Sequence, residues 1–151
     1  MTDLVVTDTS CLIALDRVGL LGLLPALFEV HAPEAVAVEF GRRPAWLRVV
    51  AVDPDAARRA PLDVLDAGEA AAIALALTYA DVQVLMDEVR GRAVAASLGL
   101  RVVGTAGVLL VAKRQGLLPA VGPVLEALVR EHAFRLAPRT AAEILKAAGE
   151  A

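Results

Sequence analysis

Two short apolar runs of the sequence each end in a carboxylate. Residues 4–7 lead directly into Asp8, and residues 82–86 lead into Asp87 and Glu88. A helical pattern follows each run, so both are typical of parallel strands that connect to helices. Because the carboxyl ends of parallel strands line the crevice where ligands bind, these acids would share one edge of a sheet. The pattern therefore suggests a metal site.

Glu39 is a further candidate ligand, and it has an ordinary structural alternative. It shares a helical stripe with Val36 and Phe40, so we expect its carboxylate to be partly buried and to need a cation beside it. That cation is either a metal ion or an arginine. An ion pair with Arg42 or Arg43 is as compatible with the spacing as metal ligation.

Glu69 begins the most strongly predicted helix of the chain. It stands three residues after Asp66, which is the spacing of a capping box. In that motif the Asp66 side chain accepts a hydrogen bond from the Glu69 amide, and the Glu69 side chain reaches back. Taken alone, the spacing favours a helix cap over a metal ligand.

The rest of the chain alternates strands and helices. Strands are predicted at 4–7, 29–32, 48–52, 82–86 and 101–103. Helices are predicted at about 11–18, 20–28, 34–43, 67–80, 89–98 and 105–115, with Thr9 or Ser10 as the cap of the first. A loop or short helix fills 53–65, and two more helices flank an extended piece at 134–136. The alternation predicts an α/β protein with one parallel sheet covered on both faces.

Composition restricts the class of protein. At 151 residues the chain has the length of one ordinary domain. Its mean hydropathy of +0.63 is high, but the longest uncharged stretches, among them 18–28, 70–80 and 102–112, are 11 residues each, against roughly 18 for a membrane span. Asp3 lies where a signal peptide carries positive charge, and Cys11 is the only cysteine. We therefore expect a cytoplasmic protein that does not bind a membrane.

The charge balance excludes a generically basic nucleic-acid binder. There are 18 acidic and 15 basic residues, for a net charge of −3. A nucleic-acid enzyme remains compatible, because a divalent metal held by several acids reverses the local sign and receives a phosphate.

Four motifs, in this order, resemble those of PIN domains, and a fifth resembles one carried by a narrower PIN-like branch. They are Val-Thr-Asp-Thr-Ser at 6–10, Val-Glu-Phe at 38–40, Gly-Glu-Ala-Ala-Ala-Ile-Ala-Leu-Ala at 68–76, Asp-Glu at 87–88 before Gly-Arg-Ala-Val-Ala, and Val-Gly-Thr-Ala-Gly-Val-Leu-Leu at 103–110. The resemblance runs from Leu4 to about Gly149. It implies one PIN-like domain over residues 1–151, with extra C-terminal helices from about residue 119.

The resemblance also implies a fold. PIN domains have three α/β/α layers around a parallel five-stranded sheet in the order 3-2-1-4-5. That order places the first and fourth strands side by side at the centre of the sheet. Asp8 and Asp87 would then be neighbours at the point where the strand order reverses.

Members of the family are metal-dependent ribonucleases, and many are toxins of toxin–antitoxin pairs. By resemblance, the four acids of the site are Asp8, Glu39, Glu69 and Asp87, with Glu88 as a fifth metal ligand. The sequence departs from the commoner toxin pattern in two places: Glu69 stands where an Asp often opens that helix, and Met86-Asp87-Glu88 replaces a Thr-rich segment. Both departures bear on the toxin activity more than on the fold.

The implied chemistry follows from charge. Carboxylates a few ångströms apart repel by roughly 4 kcal/mol per closest pair at an effective dielectric constant near 20, so the group should hold protons or bind a cation. Oxygen ligands without His or Cys favour Mg²⁺ or Mn²⁺. One or two such ions would activate water for in-line attack on RNA and leave a 5′-phosphate product.

Four other residues are candidates for binding the substrate. Arg90, Arg92 and Thr105 are predicted at the same strand ends and would hold the flanking phosphates. Ser10 resembles a residue that supports the first Asp through a hydrogen bond. For the arginines a solvated surface position is the favoured interpretation, and for Ser10 a helix cap is equally compatible.

Other classes of protein also place an Asp at the end of the first strand. A phosphorelay receiver or aspartyl-phosphate phosphatase needs a lysine near the site, and Lys113 and Lys146 are both remote in sequence. The serious rival is a catalytically weak PIN-like module that binds nucleic acid or a protein.

If the protein is a toxin, we expect a small antitoxin to insert into the acidic groove. We also expect a homodimer, for which residues 117–129 offer an apolar face, although core packing is the better interpretation.

Overall fold

A parallel sheet of five strands organises the computed structural model, which describes residues 3–151. The strands are β1 (Asp3–Thr7), β2 (Phe28–Pro33), β3 (Leu47–Val50), β4 (Gln83–Leu85) and β5 (Arg101–Val103). They are arranged in the order β3-β2-β1-β4-β5, and every pairing is parallel. The predicted strand order is therefore confirmed.

Helices cover both faces of the sheet. They are α1 (Thr9–Arg17), α2 (Leu23–Leu27), α3 (Glu34–Phe40), α4 (Pro54–Arg58), α5 (Ala67–Ala76), α6 (Val89–Ser97), α7 (Thr105–Arg114), α8 (Gly122–Glu131) and α9 (Pro138–Ala147), with a 3₁₀ turn at Leu62–Val64. No helix formed by residues 3–151 has the length and apolarity to span a membrane.

Several predicted elements end earlier in the structure. The helix predicted at 34–43 stops at Phe40, because Gly41 adopts a left-handed conformation with φ of 82°. The helix predicted at 67–80 stops at Ala76, and there the Thr78 hydroxyl donates to the Leu75 carbonyl. Residue 28, predicted to be helical, instead pairs with Asp3 as the first residue of β2. The piece predicted at 134–136 forms no strand.

The core consists of two apolar layers, one on each face of the sheet. Alternate strand residues divide between them: Val5 and Leu85 face the layer formed with α1, α2, α7 and α8. Val6 and Val84 face the layer formed with α5 and α6. Burial on both faces explains why the strands are nearly continuous apolar runs.

The apolar face predicted at 117–129 belongs to this core. Leu118, Val121, Leu125 and Leu128 are all buried within the chain. Their side chains therefore cannot form a dimer face, as they pack beneath α7 and α1 instead. These four residues therefore provide no surface for the predicted homodimer.

A residue just after the end of α8 has a strained backbone conformation. Ala133 has φ of 54°, which places an L-residue with a Cβ in the left-handed region. We expect Ala133→Gly to raise the free energy of unfolding by about 0.5–1 kcal/mol, because glycine adopts this conformation without steric cost. Urea unfolding of the two proteins measures the difference. A lower unfolding midpoint for the variant would contradict the assignment of backbone strain to Ala133.

Candidate acidic site

Asp8 and Asp87 lie at the carboxyl ends of neighbouring central strands. Thr7 pairs with Leu85 in the β1–β4 ladder, and the Asp8 amide donates to the Leu85 carbonyl at 3.0 Å. The two acids follow these strands at the point where the strand order reverses, which is where open α/β sheets bind ligands. The structure thus brings together the two carboxylates that the apolar runs predicted.

Asp8 is almost fully buried and is the N-cap of α1. Its Oδ1 accepts a hydrogen bond from the Cys11 amide at 3.1 Å, so the cap is neither Thr9 nor Ser10 as the sequence suggested. Within residues 3–151, no group forms a hydrogen bond with Asp8 Oδ2. A carboxylate oxygen shielded from water and left without a donor is costly in a folded protein.

Burial raises the pKa of Asp8 to about 7 and outweighs the hydrogen bond from Cys11, which lowers it. The charges of Asp87, Glu69 and Asp66 raise the pKa of Asp8 further. At neutral pH this carboxyl is therefore divided between its protonated and ionised forms. A cation beside it would favour the ionised form.

Glu69 lies in the first turn of α5, and the predicted capping box is present. The Glu69 amide donates to Asp66 Oδ1 at 2.8 Å. Glu69 is buried, and desolvation followed by the nearby Asp66 carboxylate raises its pKa to about 7. Glu88 adds to this rise through its charge. Asp66 therefore caps α5, and Glu69 belongs to the electrostatic group around Asp8.

Asp87 is held from behind by α7. The Thr105 amide donates to Asp87 Oδ1 at 2.8 Å, and the Thr105 hydroxyl donates to Asp87 Oδ2 at 2.6 Å. The Cys11 thiol also donates to Oδ2, at 3.4 Å. Thr105 is fully buried, so the prediction that it contacts substrate is replaced by a positioning role. Its hydroxyl and amide fix the orientation of the Asp87 carboxylate.

Two glycines make room for these carboxylates. A Cβ on Gly91 of α6 would lie 2.6 Å from Met86 Sδ and 3.2 Å from Glu69 Oε2. A Cβ on Gly104 would lie 2.9 Å from Asp87 Oδ1. At both positions a side chain would occupy the space into which an acid of the site projects.

Glu39 is placed differently from the expectation. Its side chain is exposed on α3, and its charge is not among those that act on Asp8 or Glu69. Three residues turn a helix by 300°, so Glu39 lies at the border of the stripe centred on buried Val36. The predicted ion pairs are also absent, since Arg42 binds Asp16 and Arg43 binds Glu34.

The remaining predicted residues lie around the rim. Glu88 precedes α6 and is exposed, as are Ser10 and Arg90. Ser10 does not support Asp8, because the backbone of Cys11 makes that hydrogen bond. Arg92 is half-buried and donates to the Met86 carbonyl at 3.0 Å, which holds it beside Asp87. The four predicted acids therefore separate into three that are grouped and one, Glu39, that is not.

We use the name acidic site for Asp8, Asp66, Glu69, Asp87 and Glu88. Their donors are all carboxylate oxygens, which suits a hard divalent cation. The orphaned Oδ2 of Asp8 and the raised pKa values of Asp8 and Glu69 fit a position where a cation is bound. In residues 3–151, however, no three His, Cys, Asp or Glu side chains are arranged to share one ion. Ligation would require a side chain such as exposed Glu88 to rotate inward.

Grooves extend from the acidic site in different directions. One, lined by Ser10, Asp66, Glu69, Glu88 and Arg90 among others, has a volume of about 330 Å³. A second runs between α1 and residues 132–135 and has a volume of about 360 Å³. A third, of about 610 Å³, passes Arg92 and Gly104 towards α9. Each of the three has at least one acid of the site in its wall.

Three residues have a place at the site that their sequence patterns did not indicate. Asp66 was interpreted as a helix cap only, whereas its charge also acts on Asp8 and Glu69. Arg17 and Arg135 line the second groove. A signal for Arg17 was available, because Ser10, Ala14 and Arg17 follow the i, i+4, i+7 spacing of one helix face. Arg135 lies outside any periodic element, so no local pattern indicated it.

The chain was also compared with known proteins. A family model, DUF3368, whose description is PIN domain, matches residues 4–150. Comparison with curated proteins and with solved structures gave no match.

Proposed function

Since the chain belongs to the PIN domain family, we propose that it is a metal-dependent endoribonuclease whose acidic site hydrolyses RNA phosphodiesters. PIN domains are generally nucleases that use divalent metals, so the chain is a nuclease-like module. Beyond this family assignment, we propose RNA as the substrate and Mg²⁺ or Mn²⁺ as the metal.

One observation carries the proposal. Asp8 is a buried carboxyl with an oxygen that has no hydrogen-bond partner in residues 3–151, and its pKa is raised to about 7 by burial and by neighbouring acids. Folding keeps this acid at an electrostatic cost, which is typical of functional sites. A cation that binds several carboxylates removes the cost and provides a place for a phosphate.

When bound, Mg²⁺ or Mn²⁺ supplies Lewis acidity towards a phosphate oxygen and lowers the pKa of a coordinated water. Asp8, Glu69 and Asp87 would hold the ion, with the exposed Glu88 as a fourth carboxylate. Thr105 keeps the Asp87 carboxylate oriented through two hydrogen bonds. Arg90 and Arg92 follow Glu88 by two and four residues along the chain and supply donors for phosphate oxygens.

The proposal is tested by incubating the purified protein with labelled single-stranded and structured RNAs, in Mn²⁺, in Mg²⁺ and in EDTA. We expect cleavage with either metal, no cleavage in EDTA, and products that carry 5′-phosphates. Asp87→Asn should abolish cleavage, because it removes a charge that the metal requires. Asp81→Asn is the matched control, since Asp81 is exposed and pairs with Arg101 at the opposite end of β4. Equal activity of wild type and Asp87→Asn would overturn the assignment.

A second candidate is a PIN-like module that binds nucleic acid or a protein with little turnover. It is favoured by the finding that no three metal-ligating side chains within residues 3–151 are arranged around one point. Metal that raises the melting temperature without producing cleavage would support this candidate. A toxin role, a small antitoxin and a homodimer stay predictions.

A further inference from the structure

We propose that the groove between α1 and residues 132–135 binds a single-stranded RNA segment next to the phosphate that is cleaved, with Arg17 and Arg135 as its phosphate contacts. This inference rests on the proposed function and extends it, since it assigns a path for the substrate beyond the acidic site. Neither arginine belongs to the acidic site. The groove is named the α1 groove below.

Arginines near the acidic site differ from most other arginines of the described residues in having no acidic partner. Most arginines remote from the site form ion pairs, and these are Arg42, Arg43, Arg58, Arg101, Arg130 and Arg139. In the described part of the chain, no ion pair is formed by the arginines that line the grooves of the acidic site. They are Arg17, Arg90, Arg92 and Arg135. Their charges are therefore available to an anionic ligand.

The α1 groove is continuous with the acidic site. Ser10, Asp87 and Glu88 form one end of the α1 groove, and Arg17 and Arg135 lie in its walls. Ser10 and Arg17 are seven residues apart on one helix, which corresponds to a distance of about 10 Å along the axis. Successive phosphates of a single strand are separated by several ångströms, so a strand held at Asp87 would reach Arg17 within a few nucleotides.

The groove walls also contain apolar surface. Ile13 and Phe134 are partly exposed and line the groove together with the two arginines. Binding of single strands commonly combines cations that contact the backbone with apolar or aromatic surfaces that contact the bases. Arginine also offsets the repulsion between phosphates and the uncompensated acids at the end of the groove.

The groove wall is held in place by the fold. The Phe134 amide donates to the Leu128 carbonyl at 3.0 Å, and the Phe134 side chain packs against the core beside α8. Arg135 follows directly and has an exposed side chain. The backbone that presents Arg135 is thus fixed while the guanidinium is free to bind, which reduces the ordering cost of binding.

The test compares Arg17→Ala/Arg135→Ala with a control, Arg59→Ala/Arg114→Ala. The control arginines are also exposed, form no ion pair in the described residues, and line none of the three grooves. Both double variants have the same net charge. For a long single-stranded RNA, we expect the groove variant to raise KM about tenfold with kcat little changed, and the control to leave both unchanged. For a trinucleotide the two variants should behave alike.

A binding measurement separates this inference from the proposed function. Fluorescence anisotropy of the long RNA is measured in EDTA with Asp87→Asn and with the same protein carrying the groove or control changes. Loss of two phosphate contacts should reduce the slope of log K against log salt by about 1.4. This result would support the groove even if the wild type cleaved no RNA. Equal slopes and affinities for the groove and control variants, or an absence of RNA binding, would overturn the inference.

Discussion

Asp8→Asn is expected to stabilise the metal-free protein above neutral pH while it abolishes metal-dependent cleavage. Burial and the neighbouring acids raise the pKa of Asp8 from 3.8 to about 7. The folded protein therefore binds more protons than the unfolded chain between these two values. By linkage, the free energy of unfolding falls as the pH rises through this interval, and the loss is complete above it.

The size of the effect follows from the same two pKa values. A rise from 3.8 to about 7 corresponds to a loss of at most about 4 kcal/mol for a single group. Asparagine has nearly the same shape, carries no charge, and keeps an oxygen for the Cys11 amide. We expect the variant to be more stable than wild type by about 1–3 kcal/mol at about pH 8 and to differ little at about pH 4.

Urea unfolding in EDTA across this pH range measures the effect, and Asp81→Asn serves as the control at an exposed ion-paired acid. Saturating Mn²⁺ should then stabilise the wild type by about 2.7 kcal/mol at a concentration of 100 times Kd. It should have little effect on Asp8→Asn. If both proteins have the same pH dependence in EDTA, burial does not disfavour the Asp8 charge and the proposed role of this acid is wrong.

Gly104→Ala is expected to reduce cleavage about 100-fold with only a small change in stability. The added Cβ would lie 2.8 Å from the Arg92 guanidinium and 2.9 Å from Asp87 Oδ1. Arg92 is a flexible side chain that is able to move away. Asp87 is held by two hydrogen bonds from Thr105, the residue that follows Gly104. The carboxylate would therefore shift, and shifts near 1 Å at a catalytic group reduce rates by about this factor.

Stability should fall by about 1 kcal/mol or less, because the backbone of Gly104 is extended, which any L-residue adopts, and the cost is that of alanine in place of glycine at a helix N-cap. Gly22→Ala is the matched control, since its Cβ would meet nothing within 4 Å. Cleavage rates and urea unfolding midpoints of both variants are measured together. Wild-type activity in Gly104→Ala would show that the position of Asp87 behind Gly104 is unimportant for the reaction.

The sequence determined the elements and the two central acids. Strand runs that end in Asp8 and Asp87 are local features, and β-branched content followed by helical periodicity is readable within a short window. The start of the helix near Glu69 was likewise predicted from the capping-box spacing of Asp66 and Glu69. The order of the strands was carried by the resemblance to PIN domains, since periodicity alone does not order a parallel sheet.

The tertiary structure decided which of these groups meet and how they are charged. Thr105 was expected at the substrate, but it is the first residue of α7, where it is fully buried and its amide and hydroxyl bond to the Asp87 carboxylate. Glu39 was expected with the other acids, but the short α3 leaves it at the edge of a buried stripe. The Asp87 contacts span 18 residues to Thr105 and 76 residues to Cys11. A local pattern contains no information about contacts at such separations, and burial, the pKa of Asp8 and the positions of Arg17 and Arg135 all depend on them.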